Sequence, residues 1–449
     1  MVDLLKIAAE AEELWLAAKP ANVRAAAVVG EGNRGLLIKG DNISCAKWLF
    51  ARISAEEEAP ADLIYMDPPY YTKTDLDAPV RFSIGAEKAL VHRMAFSDRW
   101  QGASGFHDYL LMLATSFVAA REVMAETGAM WVHLDRHAVH YAKVILDIVF
   151  GGPEHFINEV IWTYKSGGSS KKRFSNKHDD LLFYAKNPKK YKFFAQKEKS
   201  YNRGLKPYRF KGVKEYRDDH GWYTQVNMKD VWEIPMVGRT SGERVSYATQ
   251  KPEALLNRII ESCTEQGDFC VDLFGGAGTL AAVCENTGRR WLSVDENPLA
   301  VATHEQRLHD FTLMNTSENT RPWDMASRRN NFTAKAFIDK SDGFEGQNLL
   351  KFSLQSYEFS QAETAQFNDM DRQRLNAGVK DEPLQFILLI EFDFGGKPAR
   401  VFTPDLILSG ADISQEILIP IKENVKKSDI LVRVVDILGG ESTRYLDKV

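Results

Sequence analysis

Cysteine is scarce in this sequence. Its 449 residues hold four, Cys45, Cys263, Cys270 and Cys284, and no Cys-x-x-Cys. That excludes a disulfide framework and a thiolate zinc site, and it fits a reducing compartment, the cytoplasm. There is also no apolar run of about eighteen residues, so no membrane-spanning helix is expected. The N-terminus lacks the basic-then-apolar layout of a secretion signal, because Asp3, Glu10, Glu12 and Glu13 fall inside a helical pattern. No metal site is expected either. His133 closes a strand pattern, and His137 and His140 lie on the next helix without a third ligand at helical spacing. Pro404-Asp405 is not followed by an acid-x-Lys, which excludes a fused nuclease of that type.

What is present is an uneven charge. The chain carries 57 Lys and Arg against 62 Asp and Glu, a net charge of −5. Between Thr163 and Arg217 there are 17 Lys and Arg against 4 Asp and Glu, a local balance of +13, which leaves −18 for the remainder. An acidic body with one basic stretch is the footprint of a polyanion partner. Aromatics are interleaved with that charge: Tyr201, Tyr208, Phe210, Tyr216, Trp222, Tyr223 and Trp232. This mixture suits phosphate contacts with stacking, or a small β-rich insertion whose aromatics form its own core.

Strand and helix patterns alternate along residues 35–310, which predicts a mostly parallel α/β sheet with helices on both faces. Helices are expected over 3–18, 43–52 and 105–126, from Pro252, in a first turn, to about Cys263, and from Asp135, as a cap, to Phe150. Strands are expected over 35–39, 62–66, 129–134, 156–164, 180–185, 269–273 and 290–294. Residues 71–104 are polar and weakly periodic. Residues 310–345 read as a linker, and the tail from about Leu349 is β-rich. Gly395-Gly396 and Gly439-Gly440 each look like the turn of a hairpin there.

Two stretches carry chemistry. The apolar run Asp62-Leu63-Ile64-Tyr65-Met66 ends in Asp67-Pro68-Pro69-Tyr70. The prolines stiffen a loop at the C-terminal end of a strand, the edge where open α/β sheets bind ligands. The second stretch is Asp272-Leu273-Phe274-Gly275-Gly276-Ala277-Gly278-Thr279, a strand, a glycine turn and a helix start. Such a turn lets backbone N–H groups approach a nucleotide-like ligand, and Asp295, at the end of the next strand, is placed to meet ribose hydroxyls. On the glycine turn alone NAD is a rival ligand. No Gly-Lys-Ser/Thr follows it, so it is not a P-loop.

Read together, the two stretches suit methylation of an exocyclic amine. The N6 of adenine is a poor nucleophile because its lone pair is delocalised into the ring. The Asp67 carboxylate and the Pro68 carbonyl can accept its two N–H bonds and free the lone pair, and Tyr70 offers a face to a base flipped out of the duplex.

The sequence resembles the β permutation class of S-adenosylmethionine-dependent DNA amino-methyltransferases, and in particular the modification subunits of type III restriction–modification systems. The residues that carry the resemblance are Gly40-Asp41-Asn42, Asp67-Pro68-Pro69-Tyr70, and Asn158-Glu159-Val160-Ile161-Trp162 leading to His178-Asp179. Thr249-Gln250-Lys251-Pro252, Asp272-x-Phe274-x-Gly276-x-Gly278-Thr279 and Asp295-x-Asn297 add to it. It covers about residues 35–310 and departs from the common pattern at Asp295, often Glu, and Ala277, often Ser.

The resemblance implies a Rossmann-like sheet of seven strands with one reversed, the 180–185 run, in permuted motif order. A basic recognition insertion and a β-rich C-terminal domain complete the fold. The chain then divides into a catalytic half (1–190), a recognition region (191–247) and a cofactor half (248–310), followed, beyond the resemblance, by a linker (311–348) and a β-rich tail (349–449). The resemblance implies S-adenosylmethionine held by Asp41, Lys251, Asp272, Phe274, Gly276, Gly278, Thr279, Asp295 and Asn297, with Lys251 on the methionine carboxylate. Catalysis would fall to Asp67, Pro68, Pro69 and Tyr70. DNA contact would fall to the basic loop at Lys171, Lys172, Arg173 and Lys177. The implied partners are double-stranded DNA, a restriction subunit and a second copy of the chain. The implied reaction is adenine-N6 methylation. The alternatives are cytosine-N4 methylation and a specificity subunit that guides a nuclease partner.

Overall fold

The computed structural model describes residues 2–102, 104–166, 171–238, 241–245, 247, 249–316, 332–340, 347–395 and 402–448. At its centre, near-continuous apolar runs give strands that are, for the most part, buried on both faces. They are β2 (Gly35–Lys39), β3 (Ala61–Met66), β6 (Met124–Leu134), β7 (Phe156–Thr163), β8 (His178–Ala185), β13 (Phe269–Asp272) and β14 (Arg290–Asp295). Their spatial order is β2-β14-β13-β3-β6-β8-β7. Only β8 runs against its neighbours in this block, pairing antiparallel with both β6 and β7. The implied seven-stranded sheet with its reversed strand at 180–185 is therefore present.

Three more strands widen it to ten: β1 (Arg24–Val29) and β15 (Phe311–Asn315) beyond β2, and β12 (Val231–Glu233) beyond β7. β1 runs antiparallel to β15 and is a second reversed strand. Residues 311–348 are thus no simple linker. They supply β15 and all of β16 (Phe332–Asp339), while 317–331 and 341–346 lie outside the described residues.

Alternation along the strands sends side chains to two helical layers. Ile64, Met66, Met130 and Val132 meet α1 (Leu4–Ala17), α2 (Asn42–Ser54), α3 (Gly105–Val123) and α4 (Val139–Phe150). Leu63, Tyr65, Trp131 and Phe183 face the other way, toward α5 (Glu253–Cys263) and α6 (Thr279–Thr287). Trp131 stacks on Phe183 with centroids 4.4 Å apart. Trp232, expected among the recognition aromatics, belongs to this layer: it is 7% exposed and packs beside Trp131. Asp135 does not cap α4. The helix starts four residues later, and Asp135 instead accepts from the His137 N–H (2.8 Å).

Residues 71–104, weakly periodic in sequence, contain an antiparallel hairpin of β4 (Asp75–Ile84) and β5 (Glu87–Ser97). A register shift between Leu76 and Asp77 breaks the alternation that would have announced it. Between β8 and β12 a separate sheet forms from β9 (Lys197–Tyr201), β10 (Glu215–Asp218) and β11 (Gly221–Asn227). Its Tyr216 and Tyr223 stack at 5.6 Å.

The C-terminal β unit packs two sheets together. One holds β16, β17 (Gln347–Tyr357) and β20 (Ile417–Lys422); the other holds β18 (Ile387–Asp393), β19 (Leu406–Ser409), β21 (Leu431–Asp436) and β22 (Glu441–Tyr445). β21 and β22 form the hairpin expected around Gly439-Gly440. The other expected hairpin turns at Gly395-Gly396, and residues 396–401 lie outside the described residues. β18 pairs with β19 and β21.

Leu63 is fully buried at the centre of the sheet. Leu63→Ala is expected to cost about 2–5 kcal/mol in urea unfolding; a loss below about 1 kcal/mol would contradict this packing.

Candidate active site

Parallel pairing brings the two sequence motifs together. β13 lies directly against β3, with Asp272 opposite Tyr65, and β14 lies on the other side of β13, with Ser293 opposite Asp272. The loops that follow the three strands therefore leave the same edge of the sheet. They enclose a cleft of about 760 Å³ lined by Asp67–Tyr70, the 272–277 turn, Thr279, Asp295 and Asn297.

The Asp67 loop is held from several sides. The Tyr70 hydroxyl donates to Asp67 Oδ1 at 2.5 Å. Lys251 Nζ pairs with Asp67 Oδ2 and lies 5.4 Å from the Tyr70 ring centre. The Tyr109 hydroxyl donates to the Pro69 carbonyl (2.8 Å). Asp98, fully buried, accepts from the Tyr71 N–H (3.1 Å), the Thr72 N–H (2.6 Å), the Thr72 hydroxyl (2.7 Å) and the Trp100 indole (3.0 Å). Burial, and next the Asp67 charge, push the Tyr70 hydroxyl well above its ordinary pKa, so it stays a donor.

Behind Tyr70 runs a buried chain. The Tyr164 hydroxyl donates to Asp179 (2.9 Å), and Asp179 lies 3.3 Å from His133 Nε2. A carboxylate only accepts, so Nε2 carries the proton, and Nδ1 accepts from the Tyr65 hydroxyl at 2.8 Å. His133 is thus a satisfied core histidine whose ring lies 6.1 Å from that of Tyr70.

The glycine turn is built around two carboxylates. Asp272 Oδ1 accepts from the Phe274 N–H (2.9 Å). Asp295 accepts from the N–H groups of Gly276 and Asn297, both at 2.8 Å. Burial raises Asp272 to about 8, with the charges of Asp67 and Asp295 adding to it, and burial raises Asp295 to about 6. Gly278 caps α6 in the left-handed region (φ 69°), and a Cβ there would come within 2.8 Å of the His304 ring. His304, on α7 (Pro298–Arg307), is buried and held neutral, its pKa lowered to about 4 by desolvation. Its Nδ1 donates to the Ala300 carbonyl and its Nε2 accepts from Ser293, both at 2.8 Å. The Thr279 hydroxyl donates to the Lys251 carbonyl (3.1 Å), which ties the start of α6 to the 249–252 turn.

Of the residues singled out from sequence, Asp41, Lys251, Phe274 and Thr279 also reach the cleft, whereas Gly278 lies behind it against His304. Asp41 caps α2 through the Ser44 N–H (2.9 Å), and the neighbouring Gly40 N–H reaches the Asp295 carbonyl (3.1 Å). Asn297 caps α7 through the Leu299 N–H (2.9 Å). Lys171, Lys172, Arg173 and Lys177 are not in the cleft. They sit on the connection from β7 to β8 at the same edge of the sheet, beside Phe174, which is 98% exposed; residues 167–170 of this loop lie outside the described residues. Lys177 donates to the Ser166 carbonyl at 2.6 Å.

Sequence reading missed Tyr65, Phe96, Asp98, Trp100 and Tyr247, all of which line the cleft. Tyr247 had a signal, since it stands two residues before the Thr249-Gln250-Lys251 turn. The hairpin residues had none.

A family model described as DNA methylase, for the N6/N4 enzymes, matches residues 61–306. That is over half of the chain, which therefore belongs to the N6/N4 DNA methyltransferases, a family dependent on S-adenosylmethionine. The type II methyltransferase M.HpaI of Haemophilus parainfluenzae is 27% identical over 255 residues, 56% of this chain and 69% of that protein. The type II methyltransferase M2.DpnII of Streptococcus pneumoniae is 26% identical over 267 residues, 59% of this chain and 85% of that one. Among solved structures, the complex of M1.HpyAVI with its cofactor covers 61% of this chain and 98% of its own at 16% identity and a TM-score of 0.38. The cytosine-N4-specific PvuII methyltransferase covers 65% and 90% at 15% identity and a TM-score of 0.42.

The residues present fit the cofactor. The turn at Gly276 brings bare backbone to the cleft, where a Cβ would meet the Tyr247 ring at 3.5 Å, and Asp295 offers a half-buried carboxylate that accepts from backbone N–H groups. Gly278→Val forces a β-branched residue into the left-handed region and against the His304 ring, which displaces the turn from behind; calorimetry should show cofactor binding lost, and unchanged affinity would refute the pocket. A second test is the pH dependence of the protein without cofactor. Asp272 keeps its proton in the fold up to about 8 but loses it near 3.8 when unfolded. Across that window the folded state binds the extra proton, so stability falls as pH rises. Asp272→Asn should flatten the fall, read from urea midpoints; an unaltered slope would mean that Asp272 is ionised.

Proposed function

We propose that this chain methylates N6 of an adenine flipped out of duplex DNA at a specific site. The observation that carries the reading is the sharing of one cleft by Asp67, Tyr70 and the glycine turn. S-adenosylmethionine supplies a methyl group made electrophilic by its sulfonium. Asp41, Asp272, Phe274, Gly276, Thr279, Asp295 and Asn297, which line the cleft, are the residues to hold it, and Gly278 shapes the turn. The Asp67 carboxylate and the Pro68 carbonyl accept the two N–H bonds of the target amine, and Pro69 keeps their geometry stiff. Tyr70 stacks on the base. Lys251, which pairs with Asp67, would hold the methionine carboxylate when the cofactor is bound and so leave Asp67 free to accept.

In this reading 1–190 and 248–310 are the catalytic and cofactor-binding halves, 191–247 reads the DNA, and 349–449 is a β-rich domain. The basic loop at Lys171, Lys172, Arg173 and Lys177 meets the backbone, a role supported by its exposure and its place at the catalytic edge. The resemblance to type III modification subunits extends the proposal to a cytoplasmic subunit whose partners are a second copy of the chain and a restriction subunit.

The deciding experiment is incubation of unmethylated genomic DNA with radiolabelled S-adenosylmethionine, followed by nucleoside analysis. Label is expected in N6-methyladenosine. Label in N4-methylcytosine would change the base and keep the amine chemistry. No label, with DNA and cofactor both bound, would point to a guiding subunit. Asp67→Ala should abolish transfer and leave cofactor binding largely intact, and strong residual activity would sink its assigned role. Neutralising Lys171, Lys172 and Arg173 together should weaken DNA binding and lower the slope of log affinity against log salt by up to about 3. An unchanged slope would remove this loop from the phosphate contacts.

A further inference from the structure

The hairpin β4–β5 belongs to two places at once. Its near end lines the cleft with Leu76 and Phe96, and the chain that leaves it supplies Asp98 and Trp100. There Asp98 accepts three bonds from Tyr71 and Thr72, the residues next after the Asp67–Tyr70 loop, and a fourth from the Trp100 indole.

Its far end is embedded in the C-terminal β unit. Val80, Phe82 and Val91 are buried in one cluster with Phe352, Leu375 and Val432. The Phe82 and Phe386 rings are 5.0 Å apart. Gln385 bonds the backbone of Ser83 in both directions, accepting from its N–H (2.8 Å) and donating to its carbonyl (2.9 Å). The Gly85 N–H donates to Asp381 (2.5 Å), and the buried Arg93 guanidinium donates to the Ile437 carbonyl. The helix Asp369–Asp381 comes so close that a Cβ on Gly378 would lie 2.7 Å from the Phe82 ring.

The β unit is itself anchored beside the cofactor turn. Arg433, 5% exposed, pairs with Glu391 (2.6 Å) and Glu441 (2.6 Å) inside the unit and with Glu305 of α7 (2.7 Å). A buried guanidinium with three carboxylates is a rigid joint, because separating any of them strands a charge in the interior. The hairpin is thus gripped by a body that is fixed to the opposite side of the cleft.

We propose that the C-terminal β unit is a brace for catalysis. It grips the far end of the hairpin so that the near end walls the cleft and Asp98, a positioning residue, holds the Asp67–Tyr70 loop in its reactive shape. The proposal uses the methyl-transfer reading for its activity readout.

The test is the full-length double variant Arg93→Met with Gln385→Ala, which cuts two polar grips away from the cleft. Amide exchange over residues 75–98 should quicken, and kcat should fall on the order of tenfold to a hundredfold, as expected for a misplaced reacting group. KM for DNA should change little. Asp98→Asn should lower kcat similarly while exchange over 80–92 stays as in the wild type. A double variant with wild-type kcat overturns the brace, whether or not exchange quickens. If the double variant fails to fold, Gln385→Ala alone decides: a partial fall in kcat at an unaltered melting temperature supports the brace, and wild-type kcat overturns it. An inert wild-type chain would strike the methyl-transfer reading instead. Calorimetric cofactor affinity then replaces kcat as the readout, with weaker binding expected for both variants and unchanged binding overturning the brace.

Discussion

The parallel pairing of Leu63–Tyr65 with Cys270–Asp272 is the constraint on which the rest of the molecule depends. Two segments some two hundred residues apart in sequence become neighbours about 4.8 Å apart. Their loops must then emerge side by side, one stiffened by two prolines and the other opened by glycines. A one-step slip in that register would turn Leu63 and Tyr65 to the opposite helical layer, so hydrophobic packing fixes the site to the residue. The cost of this convergence is electrostatic. Asp67, Asp272 and Asp295 crowd one edge, and among the described residues that line the cleft Lys251 is the only Lys or Arg. The protein answers by keeping Asp272 protonated to about 8, by wrapping Asp295 in backbone N–H groups, and by setting Lys251 on Asp67.

How much of this was legible in the sequence follows from where the information lies. The Asp67-Pro68-Pro69-Tyr70 loop and the 272–279 turn were readable because their chemistry depends on contiguous residues. The seven central strands were readable because burial on both faces leaves continuous apolar runs. The edge strands β1 and β15 were not: three of the six residues of β1 are alanine, a weak strand signal, and β15 borders polar chain. Asp98 could not be found from its neighbours: it is one acid in a polar stretch until the fold brings Tyr71, Thr72 and Trp100 around it. Trp232 misled for the opposite reason. Its sequence neighbours are basic and aromatic like the recognition segment, but three residues of β12 are enough to add it to the main sheet and bury it.

The basic insertion shows both of the physical tendencies read from its composition. β9, β10 and β11 form a small sheet, and Tyr216 and Tyr223 stack within it. Yet Tyr201, Tyr208 and Phe210 are 40%, 43% and 62% exposed, so the sheet has too little apolar surface to hide its own rings. Aromatic faces left open beside lysines and arginines are what a stacked polyanion can cover.

The strand order β2-β14-β13-β3 also bears on how the chain is made. β2 and β3 are translated early, but the two strands that belong between them come more than two hundred residues later. At ordinary elongation rates a ribosome needs on the order of ten seconds or more to cover that distance. Throughout that time the nascent chain carries two apolar strands with open edges facing a gap, the kind of surface that invites pairing with other chains. Their premature closure on each other would seal out β13 and β14, and with them the glycine turn. The permuted order therefore demands a nascent chain that holds its central slot open until residues 269–295 arrive.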